Sequence, residues 1–256
     1  MFKRAIVRPP AANFADGLTT AGLGAPDVAL ALEQHARYCE ALQRCGLAVT
    51  RLEPDLRYPD STFVEDAAVL TEHCAILTRP GAPSREGEVA AIRDVVHRFY
   101  SRVQTLTAPA TLDGGDICEA EMHFFIGVSE RTNAEGARQL AGFLAQEGFT
   151  SSVVDIHGVP GILHLKSGLT YLGHNRLVVI DALAGHPAFK GYDLVRVDPA
   201  ENYAANAVRV NDYVLLAAGH PTLEATLRRL GYAVLPLEMS EYQKMDGGLS
   251  CLSLRF

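Results

Sequence analysis

AVRVNDYVLLAAGHPTLEATLRRLGYAVLPL, residues 207–237, contains the whole grammar of the chain in one run. Residues 207–210 read as a strand, Asn211-Asp212 as a tight turn and 213–218 as the returning strand. Residues 221–230 then place Leu223, Leu227 and Leu230 at helical spacing, Gly231 stops the helix, and 232–237 form a third strand.

Working outward, the same order recurs. It spans residues 117–156, with a helix over 133–146 and Gly148 behind it, and residues 67–106, with a turn at Glu72-His73 and a helix over 85–99. Residues 169–197 repeat it more weakly, because 185–191 are too few for a full helix. Residues 4–7, 27–44 and 47–52 supply a strand, a helix and a strand around Gly46, and the hairpin partner this unit lacks is predicted over 252–256. Antiparallel hairpins inside each unit argue against an open doubly wound sheet, where a helix separates most neighbouring strands. The expectation is an α/β fold: a propeller of five pseudo-repeated strand-hairpin-helix-strand units around a central channel, with residues 1–256 as a single catalytic domain whose last strand closes the first unit.

Composition narrows the function. Hydrophobic residues make up 48% of the 256 and charged residues 21%, enough for a substantial core. The net charge of −7, with no Lys/Arg cluster, argues against nucleic acid as a partner and is compatible with a cationic small molecule. No apolar run approaches the length that crosses a bilayer, so no membrane partner is expected. The cysteines Cys39, Cys45, Cys74, Cys118 and Cys251 are odd in number and form no C-x-x-C pair, which suits a reducing, cytoplasmic setting and gives no zinc site; metal and cofactor are both expected to be none.

The residues just before the first strand of each unit carry the chemistry. They include Glu65-Asp66, Asp113, His164, Asn206 and Cys251, with Asp66, Asp113, His164, Asn206 and Cys251 separated by 47, 51, 42 and 45 residues. Taken singly, each has an ordinary structural explanation as a turn former, a cap or a buried histidine. Together they place carboxylates, an imidazole, an amide and a thiol at one repeat position. Cysteine with histidine and an acid is the equipment of nucleophilic catalysis. Acids around the nucleophile would repel the oxyanion of ester or amide cleavage, yet they match the N–H fork of a guanidinium.

The motifs Asp16-Gly17-Leu18-Thr19, Pro59-Asp60-Ser61, Phe63-Val64-Glu65-Asp66, Arg79-Pro80-Gly81, Leu112-Asp113-Gly114-Gly115-Asp116, Arg131-Thr132-Asn133, Leu163-His164-Leu165-Lys166-Ser167 and Asp246-Gly247-Gly248-Leu249-Ser250-Cys251 run the length of the chain. In this order the chain resembles the dimethylarginine dimethylaminohydrolases, guanidine-modifying enzymes with a five-bladed α/β propeller, or pentein, fold. The resemblance implies Cys251 as nucleophile, His164 as general acid and base and Asp113 as their acidic partner. It implies Asp66 and Glu65 against the guanidinium with Phe63 beside them, and Leu18, Asp60, Arg85 and Arg131 around the amino-acid end. Met245 is expected to help line the room for methyl groups. Lys166 stands where the similar arginine and agmatine deiminases carry an acid.

The implied reaction is hydrolysis of Nω-methylated arginine to citrulline and an amine through a covalent Cys251 thiouronium. The alternatives are a deiminase-like hydrolase of another guanidino compound, or a non-catalytic binding protein of the same fold. A homodimer is left open, as is a lid over residues 16–26.

Overall fold

The computed structural model describes residues 1–256. In chain order, β1 (Arg4–Val7), α1 (Val28–Arg44) and β2 (Ala48–Arg51) open the chain. Next come β3 (Ala68–Leu70), β4 (Ala75–Leu77), α2 (Val89–Val96) and β5 (Val103–Thr105), followed by β6 (Ile117–Ala120), β7 (His123–Val128), α3 (Ala134–Gln146) and β8 (Thr150–Asp155). Strands β9 (Leu169–Tyr171), β10 (Arg176–Val179) and β11 (Asp193–Arg196) carry only the 3-10 turn Pro187–Phe189 between the last two, as the short segment predicts. The chain continues through β12 (Val208–Val210), β13 (Tyr213–Ala217), α4 (Pro221–Arg229) and β14 (Ala233–Leu237) to α5 (Ser240–Gln243) and β15 (Leu254–Arg255).

These strands form five separate three-stranded sheets of one design. The middle strand pairs antiparallel with the first and parallel with the third, for example Val69↔Ile76 and Ile76↔Gln104. A parallel neighbour cannot be reached by a tight turn, so each sheet needs a crossover between its second and third strands. In the sheet β15-β1-β2 the first strand arrives from far along the sequence: Ile6 faces Leu254 antiparallel and Thr50 parallel.

The chain packs as two compact units. Residues 1–64 and 197–256 form one, holding the sheets β15-β1-β2 and β12-β13-β14. Its core joins Phe14, Tyr38, Leu42, Leu215, Tyr242 and Leu252. Helix α1 turns Ala31, Gln34, His35, Tyr38, Cys39 and Leu42 inward at three- and four-residue intervals, and the Asp27 carboxylate caps it by accepting from the N–H groups of Ala29 and Leu30. Residues 65–196 form the other unit, with three sheets and a core around Ile76, Leu112, Phe124, Ile126, Leu140 and Leu144. Gly46, Gly148 and Gly231 follow α1, α3 and α4 with φ of 91°, 85° and 92°, left-handed conformations in which a side chain is strained.

Two expectations need correction. The helix predicted over 85–99 is a 3-10 turn, Pro83–Glu88, that passes into the shorter α2, so Arg85 sits on the turn. Gly87 weakens helix continuation at that point. The tail is a 3-10 turn over Ser250–Leu252, extended only from Ser253, so Cys251 lies on the turn and the closing strand is Leu254–Arg255. The Tyr38 hydroxyl meets Ser253 Oγ at 2.6 Å in the interior and ties α1 to this tail. Tyr38→Phe should therefore destabilise the protein by about 1 kcal/mol, read as a lower urea midpoint with an unchanged m-value.

Candidate active site

Every sheet is entered through a 3-10 turn: Val64–Ala67, Gly114–Asp116, Leu165–Ser167, Pro199–Ala205 and Ser250–Leu252. The chemistry-bearing residues sit in or beside these turns, because a 3-10 turn reverses the chain tightly before the strand begins and keeps its flanking side chains out of the ladder.

In the unit of residues 65–196, the paired glycines permit the close approach of three turns. A Cβ on Gly114 would overlap the Glu65 carbonyl oxygen, and one on Gly115 would lie 2.7 Å from His164 Nδ1 and 3.0 Å from Asp66 Oδ1. With no side chain there, the Gly115 N–H donates to Asp66 Oδ1 at 2.9 Å. His164 Nε2 lies 3.0 Å from Asp113 Oδ2, and the Gly81 N–H donates to the other Asp113 oxygen at 2.8 Å. His164 and Asp113 are 6% and 0% exposed, so the pair is out of water.

Asp116, whose role the sequence reading did not recognise, anchors the histidine turn. Its Oδ1 accepts from the Leu165 N–H at 2.9 Å, while the hydroxyls of Ser129 and Thr132 donate to Oδ2 at 2.7 and 2.6 Å. The clue available was its place as the last residue of Leu112-Asp113-Gly114-Gly115-Asp116.

These contacts set the protonation state. Burial alone pushes the His164 imidazole down, but the Asp66 charge, the Asp113 hydrogen bond and the Asp116 charge outweigh it and raise the pKa to about 9. Burial pushes Asp66 up, whereas Arg85 and His164 pull it down further, and it stays ionised. At neutral pH the site therefore holds an imidazolium among carboxylates.

The remaining predicted acids are already paired. Lys166 Nζ lies 2.6 Å from Glu65 Oε1, both side chains being largely buried. Arg85, placed by the resemblance around the amino-acid end, is 5% exposed, with Nη1 donating to Asp66 Oδ2 at 2.6 Å and Nε and Nη2 donating to Glu88 at 3.0 and 2.8 Å. Arg131 is half-buried and its guanidinium makes no ion pair. Its backbone packs so closely on Gly81 that a Cβ on that glycine would overlap it.

The unit of residues 1–64 and 197–256 holds the other predicted residues. The Leu18 N–H donates to both oxygens of buried Asp60, at 3.0 and 3.2 Å. Phe63 packs edge-on to Tyr242, and its ring occupies the space a Cβ on Gly247 would fill. Met245, 2% exposed, belongs to the same core and reaches Gly17. The turn bearing Cys251 is clamped by Asn206, whose Oδ1 accepts from the Ser250 N–H at 2.9 Å and whose Nδ2 donates to Ser250 Oγ at 3.0 Å. The Tyr203 hydroxyl donates to the Gly247 carbonyl at 2.9 Å, and its ionisation is suppressed by burial and by the Cys251 charge. Cys251 alone among the five cysteines is half-exposed. Burial raises the Cys45 and Cys118 thiols to about 11 and pushes Cys39 and Cys74 up as well, which makes them poor nucleophiles.

Asp66, Asp113 and His164 bring ligand-type atoms within 4.8 Å of one another. The lone pairs concerned already face Arg85, Gly115, Gly81 and an imidazolium, so this donor set fits proton handling rather than metal binding.

The arginine deiminase family model matches residues 54–202. The N(G),N(G)-dimethylarginine dimethylaminohydrolase of Pseudomonas aeruginosa is 49% identical over 257 residues, covering all of this chain and all of that protein. The chain belongs to the dimethylarginine dimethylaminohydrolase family. The family's counterpart in Streptomyces coelicolor is 35% identical over 99% of this chain and 96% of its own. Among solved structures, a mutant dimethylarginine dimethylaminohydrolase from Pseudomonas aeruginosa, complexed with citrulline, superposes with a TM-score of 0.97 at 48% identity over the whole of both chains. A second mutant, an adduct with S-methyl-L-thiocitrulline, gives the same values. The fold is thus that of the dimethylarginine dimethylaminohydrolases, a five-unit α/β propeller to which the five sheets correspond.

The raised imidazole has a measurable consequence. Relative to its ordinary value of 6.5, His164 contributes stability that is complete below about pH 6.5 and is lost as pH rises through about 9. Unfolding midpoints should fall between pH 7 and pH 9.5 on this account, and Asp113→Asn should flatten that fall and lower the His164 titration seen by NMR.

Proposed function

We propose that the protein hydrolyses Nω-methylated arginine, both the asymmetric dimethyl and the monomethyl forms, to citrulline and dimethylamine or methylamine. The observation that carries this reading is the buried His164–Asp113 pair, an acid kept protonated at neutral pH for a leaving amine. The citrulline complex and the S-methyl-L-thiocitrulline adduct of full-length relatives support it.

In this mechanism the Cys251 thiolate attacks the guanidinium carbon and forms a C–S bond. His164 gives its proton to the methylated nitrogen, the C–N bond breaks and the neutral amine departs. The thiouronium stays on Cys251. His164, now neutral, takes a proton from water as the oxygen adds to the same carbon. The C–S bond then breaks, the thiolate leaves, and loss of the second proton gives the citrulline ureido group. Asp113 orients the imidazole, and Asp66 holds the cation.

Glu65 belongs to the guanidinium end with its charge shared by Lys166, so fewer bare carboxylates await a cation whose methyl groups have replaced N–H donors. Leu18 and Asp60 take the amino end. Of the two arginines, Arg131 meets the substrate carboxylate directly, while Arg85 acts beside it with its charge shared between Asp66 and Glu88. Phe63 and Met245 form the apolar wall. Residues 1–256 act as one catalytic domain, consistent with a relative matched over its whole length, and free cysteines suit a cytoplasmic setting.

Mass spectrometry of protein quenched during turnover of asymmetric dimethylarginine should find the adduct on the peptide containing Cys251, and Cys251→Ser should lose activity by at least about 1000-fold. Faster citrulline release from unmethylated arginine than from dimethylarginine would replace this reading with that of a deiminase.

A further inference from the structure

Glu88 carries no recognisable motif, yet its carboxylate is 3% exposed and both of its oxygens grip Arg85, Oε1 accepting from Nε at 3.0 Å and Oε2 from Nη2 at 2.8 Å. The other terminal nitrogen, Nη1, donates to Asp66 Oδ2 at 2.6 Å, and the second Asp66 oxygen accepts from the Gly115 N–H at 2.9 Å. One guanidinium therefore serves two buried carboxylates. Arg85 and Asp66 alone would be a neutral pair that exerts little field on His164. With Glu88 the trio carries a net negative charge. The two-bond fork on Glu88 is also the arrangement that uses a guanidinium most fully, while Nη1 reaches across to Asp66.

We propose that Glu88 is a positioning residue: by holding the fork of Arg85 it fixes Asp66 against Gly115 and leaves Asp66 effectively anionic toward His164. The inference rests on the reading of His164 as the acid of the reaction. The charged groups facing His164 are Asp66, Asp113 and Asp116. Those facing Arg85 are Glu88, Asp66 and Asp113. Glu65, next to Asp66 in sequence, is paired with Lys166. The competing view is an ion pair that only staples the turn Pro83–Glu88, and the two views differ in what happens to the imidazole.

The test is an NMR titration of the His164 imidazole in the full-length Cys251→Ser protein, with the resonance assigned by its absence from a Cys251→Ser protein that also carries His164→Gln. Glu88→Gln keeps the side chain's size and leaves Arg85 paired with Asp66, so a folded protein is expected and a thermal melt checks it. The titration midpoint should fall by roughly one pH unit. Glu88→Asp, which keeps the charge, should recover at least half of that shift. A midpoint unmoved or raised by Glu88→Gln overturns the proposal, as does failure of Glu88→Asp to recover it. If Glu88→Gln does not fold, the double variant Arg85→Met/Glu88→Met decides, since replacing a buried ion pair by apolar groups is commonly tolerated. A midpoint within ~0.3 units supports the proposal, and a rise of roughly one unit or more overturns it, because Arg85 would then have been serving Asp66 alone. The titration needs no turnover, so failure of the parent enzyme to hydrolyse dimethylarginine refutes the proposed function separately.

Discussion

A carboxylate can leave water only if a cation or a set of N–H and O–H donors takes water's place. Residues 65–196 bury Glu65, Asp66, Glu88, Asp113 and Asp116 under that constraint, and much of the local structure follows from it. Gly115 lacks a side chain so that its N–H can reach Asp66, Ser129 and Thr132 turn their hydroxyls on Asp116, and Gly81 presents its N–H to Asp113. The imidazole of His164 is the shared beneficiary. Its proton is held by neighbours that themselves need a positive charge nearby, so acid strength and structural stability come from the same contacts.

The cysteines follow the complementary rule. A thiol in an apolar interior loses reactivity because its thiolate has no solvation, and Cys45, Cys74 and Cys118 are in that position. Cys251 sits instead on a turn held through its neighbour, with Asn206 bonding Ser250 from both ends of its amide. The clamp fixes the backbone of the turn, and Cys251 as a residue is half-buried.

The repeat was legible because hairpin turns, helical leucines and stopping glycines are local signals, and the junctions could be found from them. Asp66, Asp113, His164, Asn206 and Cys251 were placed by position alone, and the 3-10 turns at those junctions are the physical form of that position. What the sequence hid is partnership across the unit. Arg85 sits on the turn Pro83–Glu88, and nothing local announces that Asp66, 19 residues away, lies beside it. Glu88, Ser129 and Thr132 are common residue types whose roles arise only from where the turns bring them. The tail misled for a related reason: Leu252 reads as strand, but the Asn206 bonds to Ser250, 44 residues away, hold the chain in a turn through it.

The pairing of β1 with β15 joins residues separated by nearly the whole sequence, whereas residues 65–196 are continuous and contain their own core. Non-local pairing is slow because chain entropy must be lost before any contact compensates, and continuous segments gain theirs first during synthesis. The order of assembly on the ribosome follows. The His164–Asp113 pair can form while the chain is still growing, and the turn that carries Cys251 must wait until β15 has emerged to join β1. A nascent chain thus completes its first sheet only when its earliest strand finds its latest one.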